Sequence, residues 1–360
     1  MLQDAGSHLR CAKNEGESVT IPPDNKVVRS LCWFAESPQA FHVQEEISRA
    51  EALLKERGYT VQTRRICFND SRIRSLASWN NGEDLYLSVG SLKPKAAREE
   101  IDDFLHAGNV SFNLDLSAGV DLADVDVLFR IIREKPEKTF QFCYAFRNRP
   151  SSPFFPSASY DSPGFAVGLQ ATNLSEGCNT LEEWLALMKV VWVEICTIFE
   201  RQPFFLGIDS SVAPLFRGKS SLVHFVKRLY GAFSRAATTD LYVRLTRFLS
   251  SENPKPVGLC GLMLPCLEDF ELAEEYEAGE FSTERNLFLA LHSGLGLDTY
   301  PIGIDEEPGR ILQVLCLLQA MAAKYDKPLS ARFVSDGKAR IGDRTDFRNK
   351  YLKDVRLRPL

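Results

Sequence analysis

The sequence predicts a mixed α/β protein, and three observations carry that reading. Apolar runs of strand length alternate with segments of helical period along nearly the whole chain, the order that parallel strands joined by crossover helices produce. Many of the runs end on glycine, acid or proline, as strands do where they hand over to loops. Hydrophobic residues make up 44% of the 360, enough to bury a large core and to exclude wholesale disorder.

Residues 1–25 show no hydrophobic period and read as a flexible N-terminal arm. The run 27–34 (VVRSLCWF) is a first buried strand. Over 43–57, Ile47, Ala50, Leu53 and Leu54 stand at helical spacing, and Gly58 ends the helix as a C′ glycine does. A strand over 59–67 follows. The charged segment 93–106 favours helix up to Gly108, 110–116 alternates as a strand, 122–133 is helical, and 139–146 is a strand rich in aromatics. The proline-rich stretch 147–164 (RNRPSSPFFPSASYDSPG) is a long ordered loop or a joint between halves, expected to pass over the surface or the mouth of the fold. The second half repeats the pattern. It places strands over 164–172, 204–209, 258–265 and 328–334, and helices over 181–201, 220–233, 239–249, 268–277, 283–292 and 311–325. Helix 181–201 is hydrophobic nearly all round and reads as buried. Ser282 is placed to cap the helix that follows it.

Composition and missing motifs exclude several function classes. Lys+Arg is 43 against 48 Asp+Glu, a net charge of −5 without a basic block, which argues against nucleic-acid binding. No stretch reaches the ~18 apolar residues of a membrane span, and the polar, acid-containing start is unlike a signal peptide, so a cytoplasmic location is expected. The nine cysteines include no CxxC pair and read as reduced thiols. Gly294-Leu295-Gly296 lacks the third glycine and the preceding strand of a dinucleotide fingerprint, and no GxxxxGK[ST] occurs, so no nucleotide cofactor is expected. Neither GxSxG nor HExxH is present.

The candidate chemistry sits on four loops at strand ends: Gly207 to Ser211, Leu264 to Asp269, His292 to Pro301, and Lys327 to Asp343. Asp209, Glu268, Asp298 and Asp343 are the candidate acids and bases. Asp209, Glu268 and Asp298 together form a candidate site for a divalent cation such as Mg²⁺ or Ca²⁺. Arg332, which can fork onto a carboxylate or phosphate, is the leading candidate to hold a substrate anion, with Lys327, Lys338, Ser210 and Ser293. Structural roles stand beside these. Glu268 and Asp269 begin a helix whose dipole acids complement, and Asp209 and Asp298 can pin their own loops.

These loops carry a resemblance. GFAVGLQATNL (164–174), LGIDSSVAP (206–214), GLCGLMLPCLED (258–269), GLGLDTYPIGID (294–305), KPLSARF (327–333) and GKARIGDRTDF (337–347) resemble the uncharacterised family called domain of unknown function 711. That family is similar in fold to the glycyl radical enzymes of the pyruvate formate-lyase type. The resemblance implies a single α/β barrel-like domain over 26–360 with its site in the barrel mouth. It does not carry over the radical. Arg340-Ile341-Gly342-Asp343 lacks the intervening residue and the tyrosine of a glycyl radical loop, and Ser293 stands where family members often carry cysteine; serine forms neither thiolate nor thiyl radical. The expected function is an enzyme acting on a small polar, anionic metabolite by non-radical acid/base or metal-assisted chemistry of isomerase, lyase or hydrolase type. The alternative is a small-molecule-binding regulatory protein without turnover. A homo-oligomer is the expected assembly, with no nucleic-acid or membrane partner.

Overall fold

The computed structural model describes residues 21–38, 43–69, 72–77 and 85–360. Most of the arm expected over 1–25 lies outside these residues; Pro23–Asn25 forms one 3₁₀ turn. The first half runs β1 (Val27–Ala35), α1 (Val43–Glu56), β2 (Thr60–Val61), β3 (Arg64–Phe68), α2 (Ile73–Ala77), β4 (Leu85–Leu92), α3 (Pro94–His106), β5 (Val110–Asp115), α4 (Leu122–Glu134) and β6 (Phe142–Phe146). The second half runs β7 (Gly164–Leu169), α5 (Leu181–Ile198), β8 (Phe205–Asp209), α6 (Leu222–Tyr230), α7 (Phe233–Ala236), α8 (Leu241–Ser251), α9 (Phe270–Ala278), α10 (Thr283–His292), β9 (Gly296–Pro301), α11 (Pro308–Tyr325) and β10 (Leu329–Val334). Most expected elements are present. The strand expected over 59–67 is split into β2 and β3, and the start of the one expected over 139–146 is a 3₁₀ turn, Pro136–Gln141. Strand β4 adds to those the sequence places. Ser282 caps α10, its hydroxyl accepting from the Arg285 N–H at 3.3 Å.

All ten strands form one sheet in the order β8-β7-β1-β3-β4-β5-β6-β10-β9, with β2 beside β1. Strands β1, β3, β4, β5 and β6 are parallel to one another. Strand β7 is antiparallel to β1 and carries β8 parallel to itself; β10 is antiparallel to β6 and carries β9 parallel to itself. The sheet thus holds two strand sets of opposite direction, where simple strand–helix alternation implied one.

Strand pairing does not close the sheet into the expected barrel. Its edges are β8 and β9, and the segment 256–269 runs between them. Instead of the regular strand expected over 258–265, that segment makes isolated bridges, Ile208 to Pro256 and Val212 to Leu262 on one side, Leu262 to Gly294 and Pro265 to Asp298 on the other. Two features interrupt its ladder. Pro256 and Pro265 have no N–H to donate, and Gly258 and Cys260 sit at positive φ (71° and 45°).

The pleat separates two faces of the strands. Ile66, Phe68, Leu87, Val89, Phe112, Leu114, Phe142, Tyr144, Ala331 and Phe333 belong to the main buried core. Their alternates, Arg65, Cys67, Tyr86, Ser88, Ser111, Asn113, Cys143, Ser330 and Arg332, share the other face. The 147–163 segment lies against that face and does not pass over the surface: Ser151 to Phe154 and Pro156 to Ala158 are buried. Buried backbone needs partners, and the strands supply them. Asn113 Nδ2 donates to the carbonyls of Pro156 and Ala158 at 3.1 and 3.0 Å, and Ser30 Oγ donates to that of Pro153 at 2.6 Å. Ala158 packs in a small cluster with Cys32, Phe34, Cys67 and Ala166. Gly168 leaves room for the Phe154 ring, which a Cβ there would meet at 2.6 Å.

Helix α5, expected to be buried on all sides, is one-sided. Leu181, Trp184, Met188, Val191, Trp192 and Ile195 pack inward, while Val190 and Val193 are exposed. The eight cysteines among the described residues are all free thiols, and Cys316 is exposed.

Candidate active site

A cavity of about 480 Å³ opens on the inner face. Arg29, Thr63, Arg65 and Tyr86 line it from β1, β3, β4 and the link before β3. Cys143, Asp298 and Arg332 line it from β6, β9 and β10. Leu259, Met263, Leu264, Pro265 and Glu268 line it from the 256–269 segment. Phe154 and Phe155 come from the buried loop, and Lys350 and Tyr351 from the C-terminal tail.

Arg29 enters the cavity because β1 is irregular there. The pairing of β1 with β7 shifts register between Val28 and Ser30, which leaves Arg29 as an extra residue. Such bulges re-aim a side chain. Its guanidinium donates from Nη2 to Glu268 Oε2 at 2.8 Å and from Nη1 to Gln170 Oε1 at 3.1 Å. Arg332, buried, donates from Nε to Asp298 Oδ1 at 2.7 Å, from Nη2 to Glu268 Oε1, and from Nη1 toward the Phe140 carbonyl at 3.4 Å. Burial alone would lower the pKa of Arg332, but Asp298 and Glu268 raise it instead. Two arginines therefore clamp the buried Glu268, and one of them also holds Asp298.

Arg65 differs from both. Its Nε donates to Thr63 Oγ1 at 3.1 Å, and its guanidinium stands 5.1 Å over the Phe155 ring. Among the described residues no carboxylate pairs with it, and neither of its Nη atoms has a hydrogen-bond partner. Burial, and next the neighbouring Arg29 charge, pull its pKa down to about 10, still well above neutrality. With Arg29, Arg332 and Lys350 against Glu268 and Asp298, the cavity wall carries surplus positive charge.

Aromatic rings close one side. Tyr351 stacks near-parallel to Phe140 (6.4 Å, 9°) and to Phe216 (5.9 Å, 12°). Burial, and then the adjacent Tyr351, push the Tyr86 hydroxyl pKa up. Burial also raises that of the Cys143 thiol, which lines the cavity as a neutral group.

The structure brings together three of the expected site residues: Glu268, Asp298 and Arg332. Asp209 is fully buried and absent from the cavity wall. It accepts from Ser152 Oγ at 2.7 Å, from Ser211 N–H and Oγ at 3.0 and 2.5 Å, and from the Leu259 and Cys260 N–H groups at 3.0 Å each. Gly258 permits this approach, since a Cβ there would lie 2.3 Å from Asp209 Oδ2. Ser210 Oγ donates to the Leu249 carbonyl at 2.7 Å. Lys327 Nζ donates to the Ala290 carbonyl at 2.7 Å near the end of α10, and burial lowers its pKa to about 8. Ser293 lies behind that helix with its hydroxyl 2.7 Å from His292 Nδ1. Lys338 and Asp343 are exposed on the tail, where Asp343 accepts the Arg340 N–H at 3.1 Å.

The expected cation triad is thus not assembled, because Asp209 faces neutral donors elsewhere. Among the described residues no three His, Cys, Asp or Glu side chains are grouped to hold a metal ion. None of the described helices is long and apolar enough to cross a membrane.

Sequence reasoning missed Arg29, Arg65, Tyr86, Cys143 and Tyr351. A signal existed for Arg29, since an arginine inside the largely apolar, buried strand β1 needs a special reason to be there.

Fold and cavity together define a mixed α/β protein with an arginine-rich cavity on one face of its sheet. Residues 109–349, well over half of the chain, match the family model described as Uncharacterised ACR (DUF711), and the protein belongs to that family. No curated protein matches the chain.

Proposed function

We propose that the protein is an enzyme acting on a small anionic metabolite in this cavity by non-radical acid/base chemistry. The surplus of cationic side chains supports it, and the observation that carries it is the Arg65 guanidinium, whose two Nη atoms make no hydrogen bond among the described residues. A half-buried charge facing a cavity with its outer fork unpaired is well placed to take an anion, so a ligand carboxylate or phosphate is its natural partner. The volume suits a metabolite-sized ligand. Asp298 is the base in this reading. Its Oδ1 is held by Arg332, while its Oδ2 accepts no hydrogen bond and remains free to take a proton. Glu268 orients Arg29 and Arg332 and is held between them. Mg²⁺ or Ca²⁺ would fit poorly, because both Glu268 oxygens are taken by Arg29 and Arg332 and only Asp298 Oδ2 is left as a carboxylate ligand in the cavity.

We read the sheet as barrel-like and similar to the pyruvate formate-lyase type of fold, on the strength of the bridges that link the 256–269 segment to both edge strands. The non-radical assignment rests on residues. The loop that enters the interior, 147–163, carries no cysteine, and Arg340 to Asp343 are exposed at the surface.

A second reading is a binding protein without turnover. It is favoured by the double clamp on Glu268, which leaves Asp298 as the one carboxylate with a free oxygen in the cavity. Incubating the purified protein with a metabolite extract and following mass spectra over time separates the two. Consumption of an acid that is lost in Asp298→Asn supports the enzyme; retention of an acid without consumption supports the binder.

A further inference from the structure

The cavity has two unlike walls. The cationic wall is built by β1, β3 and β4: Arg29, Thr63, Arg65 and Tyr86. The other is a discrete apolar cluster of Phe154, Ala213, Met263 and Leu295 with Leu259 packed against it, and all five residues line the cavity. This cluster is separate from the main core. In sheet order β3 and β4 stand far from both edge strands, β8 and β9, between which the segment bearing Leu259 and Met263 runs.

A protein that bound a wholly polar anion would gain nothing from this second wall. A sugar phosphate placed there would leave hydroxyls facing the side chains of Met263, Leu295 and Leu259, which carry no hydrogen-bond donor, and buried hydroxyls without partners are costly. An apolar ligand body would instead be removed from water at a gain that grows with its length.

We infer that the ligand is an amphipathic acid, with a carboxylate or phosphate head on the two free Nη atoms of Arg65 and an aliphatic or aromatic body on Phe154, Ala213, Leu259, Met263 and Leu295. The inference rests on the anion-site reading and narrows it from a polar metabolite to an acid with an apolar body. Arg65 suits the head because Thr63 Oγ1 fixes its Nε and the Phe155 ring supports its plane, leaving the outer fork open. Arg29 and Arg332 suit it less, since both are already paired with carboxylates, Glu268 and Asp298.

The test is calorimetric titration of the full chain with butanoate, hexanoate, octanoate, 3-phenylpropanoate, 3-phenylpropanamide and inorganic phosphate. Affinity should rise about threefold to fourfold per added methylene until the wall is filled. The uncharged amide should bind at least tenfold more weakly than its acid. Arg65→Met should remove the preference for acid over amide, and Met263→Gln should flatten the chain-length series while keeping the preference for acid over amide. The melting temperature of each variant checks that it is folded, and either variant alone decides its own wall. Phosphate and butanoate binding as tightly as the longer acids, with Arg65→Met still weakening them, would overturn this inference and leave the anion site standing. No binding of any acid at 10 mM by the folded wild type would overturn both.

Discussion

Asp209 on one side, and Glu268 with Asp298 on the other, are the same kind of residue in the sequence: acids at the end of an apolar run, followed by a loop. The fold gives them opposite fates. Asp209 meets only neutral donors, three backbone N–H groups and two hydroxyls, contributed by the 152 loop, its own turn and the 258–260 turn. It ties three chain segments together and has nothing left to offer a ligand. Glu268 and Asp298 meet guanidinium groups and open space. A carboxylate satisfied by neutral donors holds loops; a carboxylate facing cations at a cavity wall holds or moves charge. What separates the two is the partner, and the partner comes from elsewhere in the chain.

The largest expected effect lies at the structural pole. Asp209→Ala leaves five donors, three of them buried, without their acceptor and should lower the stability of the fold by about 4 kcal/mol, since charge-assisted hydrogen bonds are worth roughly 1.5–3 kcal/mol each and are not additive. Urea denaturation measures it. Asp298→Asn tests the other pole. It keeps the shape, loses one ion pair at a partly exposed site, and should cost about 1 kcal/mol while abolishing turnover. A melting temperature reduced as far as in Asp209→Ala, with turnover intact, would erase the distinction.

Lys327 sharpens the comparison through pH. Its folded pKa of about 8 lies below the ordinary 10.5. A depressed pKa gives stability that is complete above 10.5 and is lost as pH falls through 8, because the folded state then has to hold a buried ammonium. Lys327→Met should therefore flatten part of the rise in stability between pH 8 and 10.5 and leave ligand affinity unchanged. Lys138, also lowered to about 8 by burial, keeps the remainder of the slope. The smallest effect belongs to Lys338→Ala and Asp343→Asn on the exposed tail, each expected to shift stability by less than about 0.5 kcal/mol and to leave acid binding unaltered.

Much of the fold was legible because local pattern encodes it. The strand–helix alternation, the Ser282 cap and the helix-ending Gly58 act within a few residues. The interior course of 147–163 was not legible. Its prolines and serines look like surface, and their burial depends on Asn113 and Ser30 accepting the role of partner from strands far away. The isolated bridges of 256–269 were hidden for a related reason, since GLCGLML reads as a strand until the positive φ of Gly258 and Cys260 is known.

The site divides along the same line. Glu268, Asp298 and Arg332 were found by looking at the carboxyl ends of strands, where ligands gather when all strands point one way. The two strand sets here run in opposite directions, and the cavity takes Asp298 and Arg332 from the middle of β9 and β10 together with residues from the amino-terminal part of β1, β3 and β4. Arg29, Arg65 and Tyr86 stand there, near the beginning of their strands. Rules framed for one strand direction pass over them.

The central claim is that Arg65 holds the anionic head of the ligand, and it is tested most directly by what the folded protein retains. Wild type and Arg65→Met, matched in melting temperature, would be equilibrated with the same metabolite extract, desalted, and their bound small molecules identified by mass spectrometry under denaturing conditions. The account expects one or more acids enriched on the wild type and at least tenfold depleted on the variant. The same acids retained at the same level by both proteins would contradict it.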